Sequence, residues 1–142
     1  MPKRSIPKIL PEKTHKIQKR KPPIAPAQRG IGREGEDRAT QVLEQAGMAI
    51  IARNFHSPRG EVDIVALDGD TIVFVEVKTW SVYGIEDLQY SINRRKQHRI
   101  IETAKYFLSD NRQYNRKAVR FDVLFVGKDA VTHLAGAFME SV

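Results

Sequence analysis

The run GEVDIVALDGDTIVFVEVK, residues 60–78, limits what this chain can fold into more than any other stretch. Two runs rich in β-branched residues, 61–67 and 71–78, flank Asp68-Gly69-Asp70, which is the pattern of a β-hairpin. With Gly69-Asp70 as a two-residue loop, facing residues have numbers summing to 139, so Asp63 faces Glu76 and Glu61 faces Lys78. With Asp68-Gly69 as the loop the sum is 137, and Glu61 faces Glu76. Because side chains alternate with period two, either loop puts Glu61, Asp63, Glu76 and Lys78 on one face. A three-residue loop without a bulge would split them between faces. Facing Cβ atoms lie about 5 Å apart. Three carboxylates and a lysine at one end of a ribbon repel unless a cation sits among them.

The rest of the hairpin is apolar. Val62, Ile64, Ala66, Val73, Val75 and Val77 make up the opposite face, and Val65, Leu67, Ile72 and Phe74 continue the acidic one. A ribbon apolar on both faces belongs inside a layered protein. Charges at the end of a buried sheet are costly without partners, so they mark either a site or an ion-pair network.

An aspartate followed on the next strand by Glu-x-Lys resembles the PD-(D/E)xK nuclease signature, with Asp63 as the aspartate and Glu76-Val77-Lys78 as ExK. The wider set is similar to the YraN-like family of small bacterial proteins, predicted endonucleases related to archaeal Holliday junction resolvases. The residues that carry this resemblance are Gly32-Arg33-Glu34-Gly35-Glu36, Arg53-Asn54, Gly60 to Asp63, Phe74 to Lys78, Lys96 to Ile100, Arg120 to Val123 and Ala137-Phe138. They span about residues 30–138 in order.

The resemblance implies a restriction-endonuclease-like core and a metal-dependent nuclease site. Catalytic residues would be Asp63, Glu76, Lys78 and Glu36. Mg²⁺ or Mn²⁺ would be held by Asp63 and Glu76, with Glu36 or Glu61 assisting. Lys78 would orient or deprotonate the attacking water, or hold the developing charge. In the resolvase-like relatives a helix glutamate joins the metal site, and the Gly-Glu pair of the pattern falls on Gly35-Glu36. Position agrees with this: at about 100° per residue, Glu36 lies roughly 75° from the centre of its helix's apolar stripe, the nearest of that helix's four acids. The bland alternative is a solvated helix acid.

Charge divides the chain in two. Of 24 Lys and Arg, nine lie in residues 1–29 with a single acid, Glu12, while residues 30–142 hold 15 basic and 16 acidic residues. The net charge of +7 is thus a tail at +8 on a core at −1. Six of the seven prolines also lie in that tail, whose few apolar residues have no period, so 1–29 reads as a disordered basic extension and 30–142 as one nuclease domain. The tail can be a solubilising extension, an arm that neutralises phosphates, or a presequence, although its prolines suit the last poorly. With no cysteine, there is no disulfide or thiolate metal site. No apolar run reaches membrane length and no signal-peptide core appears, so no membrane partner and a cytoplasmic location are expected.

Along the chain, 31–47 reads as a helix ended by Gly47, 48–55 as a strand, and 56–60 as a turn. In that turn His56 reads as an ordinary loop histidine, and Arg59 is a candidate phosphate contact. Trp80 and Tyr83, just past Lys78, can stack on a base or pack a loop. A short helix is expected over 86–92, where Gln89 loosely matches a glutamine that some of these nucleases carry after ExK. A longer helix over 94–109 is N-capped by Asn93. Arg94, Arg95, Lys96, His98 and Arg99 crowd its first turns. Cations at the positive end of a helix are unfavourable, so an anion is expected there. Arg94, Arg95, Lys96 and Arg99, with Arg59, are therefore the candidate nucleic-acid contacts. The alternative is a solvated basic face. Residues 118–127 read as a strand in which Arg120 and Asp122 share a face, with Asp122 taken as structural. A last short strand runs from Val131 to Leu134.

The expected fold is α/β: a central mixed sheet of about five strands flanked by helices. The expected function is a metal-dependent endonuclease for branched or single-stranded DNA. The rivals are a nucleic-acid-binding protein that keeps the fold without cleaving, and an RNA nuclease. A homodimer and a partner protein that supplies targeting are both compatible with a small, near-neutral core.

Overall fold

A computed structural model describes residues 26–79 and 92–140, with side chains from residue 33 onward. The expected tail up to residue 25 lies outside the described residues, as do residues 86–91 of the short helix expected over 86–92, Trp80, Tyr83 and Gln89.

Helix α1 spans Pro26–Gln45. It starts five residues earlier than the apolar period suggests, within the stretch read as tail, because proline is tolerated in a first helical turn. Its C-terminus closes as expected: Gly47 takes φ 93°, and the Met48 N–H reaches back to the Leu43 carbonyl at 3.0 Å. Strands β1 (Ala49–Ser57), β2 (Gly60–Asp68) and β3 (Thr71–Thr79) follow as an antiparallel meander. The first turn is only Pro58-Arg59, since Ser57 pairs with Gly60; the sequence reading ended β1 two residues too soon. Asp68 pairs with Thr71 around Gly69-Asp70, which makes the hairpin loop two residues long and selects the 139 register.

Helix α2 (Arg94–Asp110) then crosses to β4 (Ala118–Val126), which runs parallel to β3. A parallel neighbour requires such a crossover. Strand β5 (Val131–Phe138) returns antiparallel, giving a five-stranded mixed sheet in the order β1-β2-β3-β4-β5. It runs four residues past the expected end. Small residues there hide the strand from a propensity reading, but Gly136, at φ 63°, donates its N–H to Asp122 Oδ1 at 2.9 Å where the β4–β5 register shifts.

The sheet is covered on both sides, as its two-faced apolar hairpin requires. Ala39 and Leu43 of α1 pack on Ile64, Ala66, Val73, Val75, Leu124 and Val126. On the other face, Ile100, Ile101, Ala104 and Phe107 of α2 pack on Val65, Ile72, Phe74, Phe121, Val123 and Phe125. Phe107 meets Phe55 edge-on at 5.0 Å and Phe74 at 5.8 Å, so truncating it to alanine is expected to cost about 3–5 kcal/mol. This is an α/β fold consistent with a restriction-endonuclease-like core.

Candidate active site

Both helices converge on the end of β3. Gly35 lets α1 approach: a Cβ there would lie 2.8 Å from Thr79 Cγ2, so any larger residue would force Thr79 or the helix to shift. The next residue, Glu36, is thereby carried to the sheet. It is half-buried, and its Oε1 accepts from Asn54 Nδ2 at 3.1 Å, with Arg53 Nη2 at 3.7 Å. On the opposite face, Asn93 caps α2 through the Lys96 N–H at 2.9 Å. Gly60, at φ 153°, fits the β1–β2 turn against Arg99 and Thr103 of the same helix.

The β2–β3 ladder stops short of the acids. Its last pair in this direction is Ile64 with Val75, and Asp63 Oδ2 instead accepts the Val77 N–H at 2.7 Å. A carboxylate side chain here takes the place of a strand, so the hairpin opens where its charges lie. Asp63, Glu61 and Glu76 line a cavity of about 250 Å³ with Gly60, Lys96, Arg99 and Ile100. Glu76 is only 7% exposed, and its Oε2 lies 2.9 Å from Lys96 Nζ.

The electrostatics follow from this crowding. Loss of water raises the Asp63 carboxyl well above the ordinary carboxylate range, the charge of Glu76 raises it further, and Glu36 and Glu61 add to the rise against the Val77 N–H. Burial lowers the Lys78 ammonium, and its hydrogen bond and charge contact with Lys96 lower it again, while Glu76 and Asp63 oppose. For Lys96, burial is the largest influence and lowers the ammonium, but the bond and charge of Glu76, the bond to Lys78 and the charge of Asp63 together outweigh it, so its proton is held more tightly. The cluster thus contains one carboxyl that retains a proton more readily than usual and one lysine that gives its proton up more readily.

The donors offered by the acids are all oxygen, which suits a hard divalent cation such as Mg²⁺ or Mn²⁺. Among the described residues no three His, Cys, Asp or Glu converge into a ready ligand group, and Lys96 is the cation that answers Glu76. The donors are thus of the chemical kind such an ion takes, with Asp63 and Glu76 lining the cavity and Glu36 near enough for its charge to act on Asp63. Glu61 is exposed and pairs with His56 at 3.5 Å, so it sits at the rim.

Of the basic residues, Arg59, Arg94, Arg95 and Arg99 are exposed, and Arg99 lines the cavity. Lys96, a candidate nucleic-acid contact in the sequence reading, lies within the acidic cluster, with its Nζ paired to Glu76. Asp122 is structural: fully buried on β4, it accepts from Arg120 Nε at 2.9 Å and Nη2 at 3.0 Å, lies 2.7 Å from His133 Nε2, and takes the Gly136 N–H. Sequence reasoning missed Asn54, which touches Glu36. The Arg53-Asn54 pair was visible, but nothing local marks an asparagine inside a strand as a site residue.

Comparison with known proteins shows the family. Residues 35–126 match the uncharacterised protein family UPF0102. The UPF0102 protein of Treponema pallidum (strain Nichols) is 43% identical over 119 residues, covering 79% of this chain and 94% of that one. That of Treponema denticola is 38% identical over 122 residues, covering 76% and 94%. That of Persephonella marina is 40% identical over 107 residues, covering 75% and 91%. From the matched span of residues 35–126 and these relatives, the chain belongs to the UPF0102 family, the YraN-like group.

Proposed function

We propose that this protein is a metal-dependent endonuclease that hydrolyses phosphodiester bonds in branched or single-stranded DNA. The observation that carries this reading is geometric: Asp63 and Glu76 line one cavity where the β2–β3 hairpin opens, and Lys78 follows two residues after Glu76 on the same strand. Two carboxylates for a cation and a lysine for the water's proton, gathered at one strand end, are the groups that metal-assisted hydrolysis needs.

A divalent cation held by Asp63 and Glu76, with Glu36 or Glu61 assisting, would supply an acidified water and neutralise charge on the phosphate. The chain's own side chains do the rest. Lys78, with its ammonium destabilised by burial and by Lys96, orients the water and accepts its proton. Arg59, Arg94, Arg95 and Arg99 hold neighbouring phosphates and set the strand across the opening. The basic N-terminal segment adds affinity without sequence choice. A second copy or a targeting partner would supply choice of substrate structure, since the core carries little net positive charge of its own.

The Lys96–Glu76 ion pair favours a second reading, binding without cleavage, because it neutralises one of the site's carboxylates without any metal. A cleavage panel separates the readings. Full-length protein is incubated with branched, flapped and single-stranded DNA and RNA, with Mg²⁺ or Mn²⁺, beside Asp63→Asn and Lys78→Ala. Metal-dependent cutting of DNA that both variants lose supports the nuclease. Retention of every substrate without cutting supports the binding protein, and cutting confined to RNA makes it an RNA nuclease.

A further inference from the structure

Asn54 is the one non-glycine with a left-handed backbone among the described residues, at φ 55°. It lies inside β1, between Arg53, paired with Ile64, and Phe55, paired with Val62, which sets it level with Asp63. It is 6% exposed. Most side chains are disfavoured in this region, and a residue kept there inside a strand marks a position the surroundings enforce. Asparagine tolerates the region, yet glycine would adopt it more easily. A bare kink, or a device to blunt an edge strand, would need no amide.

The amide is used. Asn54 Nδ2 donates to Glu36 Oε1 at 3.1 Å, and Arg53 Nη2 lies 3.7 Å from the same oxygen. Arg53 is itself held by Asp37 at 2.8 Å. Successive strand residues normally point to opposite faces. The left-handed turn at Asn54 breaks that alternation and brings both side chains onto one carboxylate. Since Gly35 already fixes the α1 backbone against Thr79, the remaining freedom of Glu36 lies in its own torsions, and these two contacts restrict it. Glu36 is near enough for its charge to act on Asp63.

We propose that Asn54 is a positioning residue whose amide, with Arg53 as a second clamp, holds the Glu36 carboxylate beside Asp63 as a further oxygen ligand for the divalent cation. This rests on the metal-dependent reading of the site. Outer partners that orient a ligand typically change metal affinity by 10–100-fold when removed.

The glycine variant removes the amide without steric strain, because glycine adopts the left-handed backbone freely. Mn²⁺ alone is titrated calorimetrically into full-length wild type, Asn54→Gly, Glu36→Gln and the double variant, with metal-free melts of each. The expected result is that Asn54→Gly still melts as a folded protein without metal, loses about 10–100-fold in Mn²⁺ affinity, and loses nothing further once Glu36→Gln is present. Wild-type affinity in Asn54→Gly, or an equal loss in both backgrounds, overturns the proposal. Asn54→Asp keeps the shape and the tolerance of the left-handed region but gives Glu36 a second charge in place of a donor. It must also lose affinity, and retained affinity overturns the proposal equally. Failure of the wild type to bind Mn²⁺ brings down the metal reading itself, and this inference with it; normal wild-type binding with an unaffected Asn54→Gly overturns the positioning role alone.

Discussion

Lys96 Nζ lies 2.9 Å from Glu76 Oε2, so a lysine from the first turn of α2 is the counter-ion of the most buried acid in the candidate site. The basic crowd at that helix N-terminus is thus partly answered from within the protein. Lys96→Met would leave Glu76 buried next to Asp63 without a partner. A hydrogen bond to a charged group is worth about 1.5–3 kcal/mol, and because Lys96 remains one-third exposed, about 1–2 kcal/mol is expected here. The metal-free melting temperature should fall by several degrees, and Mn²⁺ should raise it more in the variant than in wild type, because the cation takes over the role of the ammonium. Thermal melts with and without Mn²⁺ check this. An unchanged metal-free melt would mean that the pair contributes nothing.

Asp63 and Glu76 should behave oppositely on loss of charge. The Asp63 carboxyl is raised in the folded protein, so folding favours its protonated form. Stability is then greatest at low pH and falls as pH rises above the unfolded value of about 3.9. Asp63→Asn removes that penalty and still offers an oxygen to the Val77 N–H, so at neutral pH it should match or exceed wild-type stability while losing cleavage. Glu76→Gln gives up the charge that holds Lys96 and should be less stable than wild type without metal. Urea unfolding of both variants at pH 4 and pH 7 tests the contrast, and a clear fall for Asp63→Asn at pH 7 would make Asp63 a paired structural group.

Asp122 carries the opposite pH signature. Burial alone would raise its carboxyl, but the bonds from His133, Arg120 and the Gly136 N–H outweigh this and hold it down to about 2. A depressed carboxyl adds stability above its unfolded value and loses it as pH falls through the folded one. The window therefore runs from about pH 4 down to about pH 2, and the contribution is about 2 kcal/mol on the scale of 1.36 kcal/mol per unit. Asp122→Asn should be less stable than wild type by about that amount at pH 6, with the gap closing between pH 4 and pH 2. Denaturant titrations across this range measure it, and a gap independent of pH would show that the charge of Asp122 is not what the network uses.

Deleting residues 1–25, which stops short of α1, removes eight Lys or Arg and one Glu. Each phosphate neutralised adds roughly 0.7–0.9 to the slope of log affinity against log salt. If half of those cations engage the backbone, the slope should drop by about 3 while the preferred DNA structure stays the same. Full-length and truncated protein titrated against one branched substrate at several salt concentrations provide the comparison. Equal slopes would leave the exposed arginines of α2 and Arg59 to carry binding alone.

The sequence by itself determined the hairpin, the helix caps and the acids of the site, because each rests on local rules. Period-two alternation placed Asp63 and Glu76 together, Gly69 marked the turn, Asn93 the start of α2 and Gly47 the end of α1. The apolar stripes announced a sheet covered on both faces. Tertiary structure decided what these signals could not carry. The strand pair opens at Asp63 because its side chain captures the Val77 N–H, a choice made between two strands rather than within one. Lys96 faces Glu76 instead of solvent because α2 lies over the end of β3, and helix periodicity does not say which neighbour a lysine at the edge of a stripe will meet. The last four residues of β5 are strand only because β4 and Asp122 supply their partners. Asn54 takes a left-handed backbone and reaches Glu36 only because α1 is docked there through Gly35. In each case the deciding interaction joins residues distant in the chain, and local pattern holds no record of it.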